Sequence, residues 1–214
     1  MKMRLYNIEN WGKLVFMIAC ILPLPINHYE SIVLVLGILV CMLGIRRQMR
    51  GFQMSKIYFA TMITKDFGAT MIYLLLMFGV NRPLKVFCLP VSLYFALGFS
   101  EFVYLQKITF ISKIPKAQSL MDHLRANAAD VKKAKLYMEF FLFVYAIALI
   151  FLAKGSLFTP ISLFNFLKIR KLNKSYQTNL AEFLGGIGVV LNDSDNGFMK
   201  LLAKGWVYFT KLFS

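Results

Sequence analysis

Apolar residues are concentrated in six stretches, at 14–26, 31–45, 57–80, 84–105, 136–153 and 157–169, with polar residues gathered between them. The stretches come in pairs, joined by the short polar or turn-prone links Asn27-His28-Tyr29-Glu30, Asn81-Arg82-Pro83 and Lys154-Gly155-Ser156. Links this short connect antiparallel neighbours. The pattern therefore predicts an all-α membrane protein of about three helical hairpins, four to six hydrophobic helices, with cytosolic and interfacial amphipathic helices around them. Length divides the hairpins. A helix needs about 20 residues at 1.5 Å each to cross a bilayer, and the first, second and sixth stretches are shorter than that. Pro23 and Pro25 shorten the first further by removing backbone donors. Two arrangements follow: spans across a thin membrane with flanking side chains snorkelling, or hairpins that dip into one leaflet and widen it.

The helical period is clearest at the end of the chain. On a wheel of 100° per residue from Phe198, Lys200, Lys204 and Lys211 cluster on one side. Phe198, Leu201, Leu202, Trp206, Phe209, Leu212 and Phe213 lie opposite. Lysine on the wet side and bulky aromatics on the other is the pattern of a helix lying in a membrane interface, so Lys200, Lys204, Lys211, Trp206, Phe209 and Phe213 are the candidate membrane-binding residues. The alternative is packing of this helix on the protein's own hairpins. Upstream, Tyr176, Leu180, Phe183, Leu184, Ile187, Val190 and Leu191 line another helical face, interrupted by Gly185, Gly186 and Gly188, which predicts a helix in need of support. The link 192–197 reads as the turn between the two. A third amphipathic segment is expected at 119–135, with Leu120, Leu124, Ala128 and Val131 on one stripe.

Composition names the solvent. Of 214 residues, 58% are hydrophobic and 16% charged, against about 25% charged in soluble domains, which excludes disorder and an ordinary soluble enzyme. The net charge is +15, and its placement reports orientation. Of 25 Lys and Arg, 21 lie at the termini and between the pairs, while the tips hold Arg82, Lys85 and Lys154, and Lys65 lies inside the third stretch. By the positive-inside rule both termini are cytosolic. The expected organisation is a cytosolic N-terminus at 1–13, a membrane domain at 14–169 with basic cytosolic segments at 46–56 and 106–135, and a cytosolic C-terminal region at 170–214. The first stretch lacks a cleavage site for a secretory signal and is expected to remain as an anchor. The sequons at Asn173 and Asn192 are expected to stay unmodified on the cytosolic side. The expected partners are the bilayer, its anionic cytosolic leaflet and a possible second copy of the chain. Nucleic acid is not expected, because the membrane borders already account for the positive charge.

Candidate chemistry is sparse. Cys20, Cys41 and Cys88 sit in apolar stretches at spacings that match no metal or redox pattern and are expected to be packing residues. Neither His28 nor His123 has another ligand at metal spacing, and Gly185-Gly186-Ile187-Gly188 lacks the strand and the Lys-Ser/Thr of a phosphate loop. No enzyme signature and no cofactor are read. Ionisable residues inside apolar stretches are functional candidates by default: Lys65, Asp66, Glu101 and Glu139. One reading is a small channel or transporter using Asp66 and Glu101, with Lys65 as counter-charge. The other, favoured, is that 50–66 forms an interfacial helix with the crossing beginning at Phe67, which leaves no buried charge.

Two groups of residues resemble a known family. Phe52-Gln53-Met54-Ser55-Lys56, then Ala60, Asp66 and Tyr73-Leu74-Leu75, resembles the segment entering the central hairpin of the transmembrane protein 33 (Krueppel homologue 2) family. Gly155-Ser156-Leu157, Pro160, Phe166-Leu167 and Arg170, continued by Ser175-Tyr176 and Glu182, is similar to that family's turn and following helix. The resemblance covers about 10–191. It implies a membrane protein of the endoplasmic reticulum and nuclear envelope without known catalysis, whose fungal relatives are associated with nuclear pore distribution and assembly and whose members work beside reticulon-type, membrane-shaping proteins. Some relatives use a C-terminal amphipathic helix on curved membranes. The resemblance takes in no counterpart of the family's common N-terminal extension, and Lys65-Asp66 stands where two acids are expected.

Overall fold

The computed structural model describes residues 2–22, 28–49, 55–78, 85–106, 108, 111, 113–152, 155–194 and 197–211. The described residues are almost wholly helical: α1 (Lys2–Ile21), α2 (Tyr29–Gln48), α3 (Lys56–Thr64), α4 (Asp66–Phe78), a 3-10 turn at Lys85–Cys88, α5 (Leu89–Gln106), α6 (Pro115–Ala126), α7 (Ala128–Phe151), α8 (Phe158–Arg170), α9 (Lys174–Asn192) and α10 (Gly197–Lys211).

Six of these helices close a ring in the order α1, α2, α4, α8, α7, α5. Pairs of touching residues fix the directions. The Tyr29 hydroxyl donates to the Ala19 carbonyl while Arg47 reaches Glu9, so α1 and α2 are antiparallel. Gly44 meets Phe67 and Gly37 meets Leu74; Asp66 meets Arg170 and Tyr73 meets Phe166. The ring continues with Phe143 against Phe164 and Glu139 near Arg170, with Tyr94 near Lys135 and Phe87 near Tyr145, and with Phe16 on Phe95 and Tyr6 on Phe102. Every neighbour in the ring is antiparallel. The first and last expected hairpins are thus packed pairs. In the middle one, α4 and α5 face each other across the core through side chains, Phe67 against Tyr94 at 5.4 Å and the Tyr73 hydroxyl on the Phe87 carbonyl at 2.6 Å, while their close helix neighbours lie elsewhere.

Among the described residues, three helical stretches have the length and apolarity to cross a membrane: Tyr29–Gln48, Val86–Gln106 and Ala128–Phe151. The bent pair α3–α4, broken by 91° at Lys65, reaches that length and apolarity only when its two halves are taken together. The Ser55 hydroxyl caps α3 by accepting from the Tyr58 amide at 3.1 Å. The bend needs Gly68, because a Cβ there would strike the Met62 carbonyl oxygen. The two 13-residue helices, α4 and α8, are about 20 Å long at 1.5 Å per residue, short of the roughly 30 Å hydrocarbon layer. They are ring neighbours, so one flank is shorter than the rest.

Each ring helix has one terminus at what we call the charged end, where α1, α4 and α7 begin and α2, α5 and α8 finish; the other is the tip end. Outside the ring, α6 lies on α5, where Ala117 and Met121 pack against Phe99, Phe102, Val103 and Ile111. The stripe read over 119–135 is corrected here. Leu120 is exposed, and the segment divides at Asn127 into α6 and the start of α7. α9 meets α7 through Lys133, Tyr137, Phe140 and Phe141, the half nearest the charged end. It buries Tyr176, Leu180 and Leu184 from the expected face and gains the support its glycines require. α10 in turn packs on α9. Cys41 and Cys88 are buried and Cys20 is half-buried.

Candidate functional site

The charged end contains a collar of buried ionic side chains. Glu9 and Asn10 are fully buried on α1, one turn from Lys13 at 3% exposure. The Glu9 carboxylate takes the Lys13 ammonium at 2.7 Å and two nitrogens of Arg47 at 2.7 and 3.3 Å. Lys13 also donates to the Asn10 side-chain oxygen at 2.8 Å, and Asn10 donates to the Tyr6 carbonyl. On the opposite side of the ring, buried Lys135 donates to Thr70 Oγ1 at 3.1 Å and lies 3.6 Å from Glu139. Buried Arg170 donates to Asp66 at 3.2 Å, with its Nε 3.7 Å from Glu139. Two aromatic rings separate the halves: Lys13 sits over Phe67, Lys135 over Tyr94, and the rings meet edge to face. Such cation–π contacts return part of the hydration each ammonium gives up.

This arrangement corrects the expectation that no charge is buried. The helix break does fall at Lys65, two residues before the expected start of the crossing, and Lys65 is exposed. However, Asp66 takes its counter-charge from Arg170, and Glu139 is 2% exposed among Lys135 and Arg170. Glu101 is exposed at the end of α5, apart from Asp66. The two carboxylates named for an ion pathway are therefore not brought together. Sequence reading missed Glu9, Lys13 and Lys135, having counted both lysines as solvated border charge. A signal existed: Glu9-Lys13 and Lys135-Glu139 are acid–base pairs at the i,i+4 spacing that places both on one helix face, each where a helix enters an apolar stretch.

The family-like residues divide between the two ends, with Gly155, Ser156 and Pro160 at the tip where α8 begins and Arg170 and Tyr176 at the charged end. Ser55 caps α3, as above. Gly155 packs where a Cβ would come within 2.9 Å of Leu149. The Ser156 hydroxyl accepts from the Phe158 amide at 3.2 Å, and Pro160 is buried in the first turn of α8, where its missing N–H costs nothing. Arg170 and Tyr176 meet at the collar, with the guanidinium 4.5 Å from the Tyr176 ring centre. Phe52 and Gln53 lie outside the described residues.

α10 is the most strongly amphipathic of the described helices. Lys200, Lys204 and Lys211 are exposed, as are Leu201, Leu202, Val207 and Tyr208. Trp206 departs from the wheel's assignment. Its indole N–H donates to the Leu184 carbonyl at 2.9 Å, its ring lies edge-on to Phe140, and it faces Gly188 of α9, where an added Cβ would make an ordinary 3.4 Å contact. Ala203 is buried beside it in sequence order one turn earlier. α10 thus spends Ala203 and Trp206 on the protein and leaves Leu201, Leu202 and Tyr208 open. The side chain of Phe209, and Phe213 entirely, lie outside the described residues.

Compared with known proteins, residues 2–192 match the family described as Transmembrane protein 33/Nucleoporin POM33. The chain belongs to that family. A relative, Krueppel homolog 2 of Drosophila melanogaster, is 25% identical over 159 residues, covering 72% of this chain and 57% of that protein. The chain thus aligns with somewhat over half of the relative's length. No solved structure matches it. The family match stops at residue 192, so α10 lies beyond it.

Proposed function

We propose that this family member is a non-enzymatic organiser of membrane shape in the endoplasmic reticulum and nuclear envelope. In this reading the ring anchors the chain with both termini cytosolic, and α10 lies on the cytosolic leaflet, where it helps to recruit membrane-shaping or nuclear pore proteins. The observation that carries the reading is the open side of α10: Lys200, Lys204 and Lys211 at the surface beside Leu201, Leu202 and Tyr208, with the helix already tethered through Trp206. Each lysine near an anionic leaflet adds about 1 kcal/mol, and each buried Leu-sized side chain about 1.5 to 3 kcal/mol. Tethering removes most of the entropy cost of bringing the helix to the surface. The short α4–α8 flank supports the same role, since mismatch between helix length and bilayer thickness is relieved by local thinning or tilt.

Reconstituting the full chain into vesicles containing anionic lipid, and measuring diameters by electron cryo-microscopy, tests it. The wild type should shift the population to smaller diameters as protein density rises. The Lys200→Glu/Lys204→Glu/Lys211→Glu variant should do so much less. Equal distributions for the two, at equal incorporation, would refute the role assigned to α10.

A further inference from the structure

Beside the collar lies a cavity of about 230 Å³ lined by Asp66, Lys132, Lys135, Arg170, Asn173 and Tyr176 among others. It is below the usual 300 to 1,000 Å³ range of sites for drug-sized molecules and suits a headgroup fragment rather than a whole lipid. Lys132 stands exposed on its rim, while Lys135 and Arg170 are each 5% exposed. The carboxylates facing them are Asp66 and Glu139, so three cations face two anions. The hydrogen bonding is incomplete. Arg170 Nε, the Tyr176 hydroxyl and the Glu139 oxygen Oε2, all buried, make no hydrogen bond of good geometry among the described residues, with Arg170 Nε 3.7 Å from that same oxygen. Two donors thus share one distant acceptor, and leaving buried polar groups short of partners is costly. Tyr176 is a protonated donor, because burial, then the Glu139 carboxylate, holds its phenol well above the ordinary value. The first turn of α9 also borders the cavity. Asn173 caps it by accepting from the Tyr176 amide and is pinned by donating to the Thr64 carbonyl, so the positive end of the helix dipole points to the same place.

We propose that this cavity binds the phosphate monoester of an anionic lipid headgroup, with Lys132 at the entrance and Arg170 and Tyr176 donating from its wall. A monoester offers three acceptor oxygens and up to two negative charges, which suits a set of several convergent donors. A phosphodiester offers two oxygens and one charge. The cavity is lined from the start of α4, the start of α7 and the end of α8, and in the membrane orientation proposed above that level falls at the headgroups. It uses no residue of α10 and is independent of the role proposed for that helix.

The test is titration of the full-length protein in neutral detergent with dioctanoyl phosphatidic acid, dioctanoyl phosphatidylserine and inorganic phosphate. Dioctanoyl phosphatidic acid should bind saturably and more tightly than the other two. Lys132→Glu, at an exposed site, and Tyr176→Phe, which removes one hydroxyl, should each weaken binding about tenfold, the size of one hydrogen bond to a charged group. Lys200→Glu/Lys204→Glu should leave it unchanged. Inorganic phosphate binding as tightly as the lipid would overturn the lipid assignment. Equal affinity for phosphatidylserine, or affinity unaffected by both cavity variants, would overturn the site.

Discussion

Replacing Glu9 by Gln keeps the shape of a fully buried side chain and removes its charge. Lys13, at 3% exposure, would then lose its ion-pair partner and be left with neutral acceptors, the new amide oxygen and the Asn10 oxygen at 2.8 Å, and with the face of Phe67. Removing one member of a buried ion pair costs about 3–5 kcal/mol, because the other charge remains desolvated. Arg47 contributes little to that figure. Its side chain is 29% exposed, and an ion pair open to water is worth at most about 1 kcal/mol. The surviving Asn10 contact places the expected loss in the lower half of the range, about 3–4 kcal/mol, or two to three powers of ten in the unfolding equilibrium. The assay is reversible unfolding of the full-length protein in mixed micelles, followed by helical circular dichroism as denaturing detergent increases. Glu9→Gln/Lys13→Met, which removes both charges, should recover most of the loss, since an apolar replacement of a buried pair is often neutral. A single variant within about 1 kcal/mol of wild type, or a double variant no better than the single, would show that Lys13 reaches water and that the collar is not closed.

Other outcomes follow from particular contacts. Gly68→Ala should open the α3–α4 bend, since its Cβ meets the Met62 carbonyl; spin labels at residues 57 and 75 should report a longer and broader distance distribution, and an unchanged one would contradict the close approach. Trp206→Phe should loosen α10 by about 0.5–1.5 kcal/mol, the value of the indole hydrogen bond to Leu184, seen as faster amide exchange over 197–211 with exchange in the ring unchanged. Asn173 and Asn192 should carry no sugar when the chain is made on microsomes; a modified band at either would reverse the orientation proposed for the charged end. Asn173 is additionally tied up as the cap of α9 and as a donor to Thr64.

The fold class was legible because hydrophobic runs and turn residues are local properties. The break near Asp66, the turn after Asn192 and the helix starting after Gly155 are all marked by polar or turn residues in the chain itself. The order of the ring was not legible. Whether α4 packs on α5 or on α8 depends on contacts such as Asp66–Arg170, 104 residues apart, which no periodicity encodes. The collar was hidden for a related reason. Counting basic residues at the borders reports which end of the ring they occupy, but not which helix face they lie on, so Lys13 and Lys135 looked like Lys200 and Lys204. Their i,i+4 carboxylate partners make the difference. Trp206 was misassigned because a wheel treats a helix as alone, whereas the indole's partners, the Leu184 carbonyl and the Phe140 ring, lie on other helices.

The role of α10 stands or falls on where its open strip goes in a bilayer. Tyr208, at 72% exposure, can be replaced by cysteine and labelled with an environment-sensitive dye in the full chain held in nanodiscs. The emission should shift to the blue and be quenched by lipid-borne quenchers in anionic nanodiscs. In neutral nanodiscs, and in the Lys200→Glu/Lys204→Glu background, the shift should be far smaller. A dye that reports water in all three would contradict leaflet binding by α10.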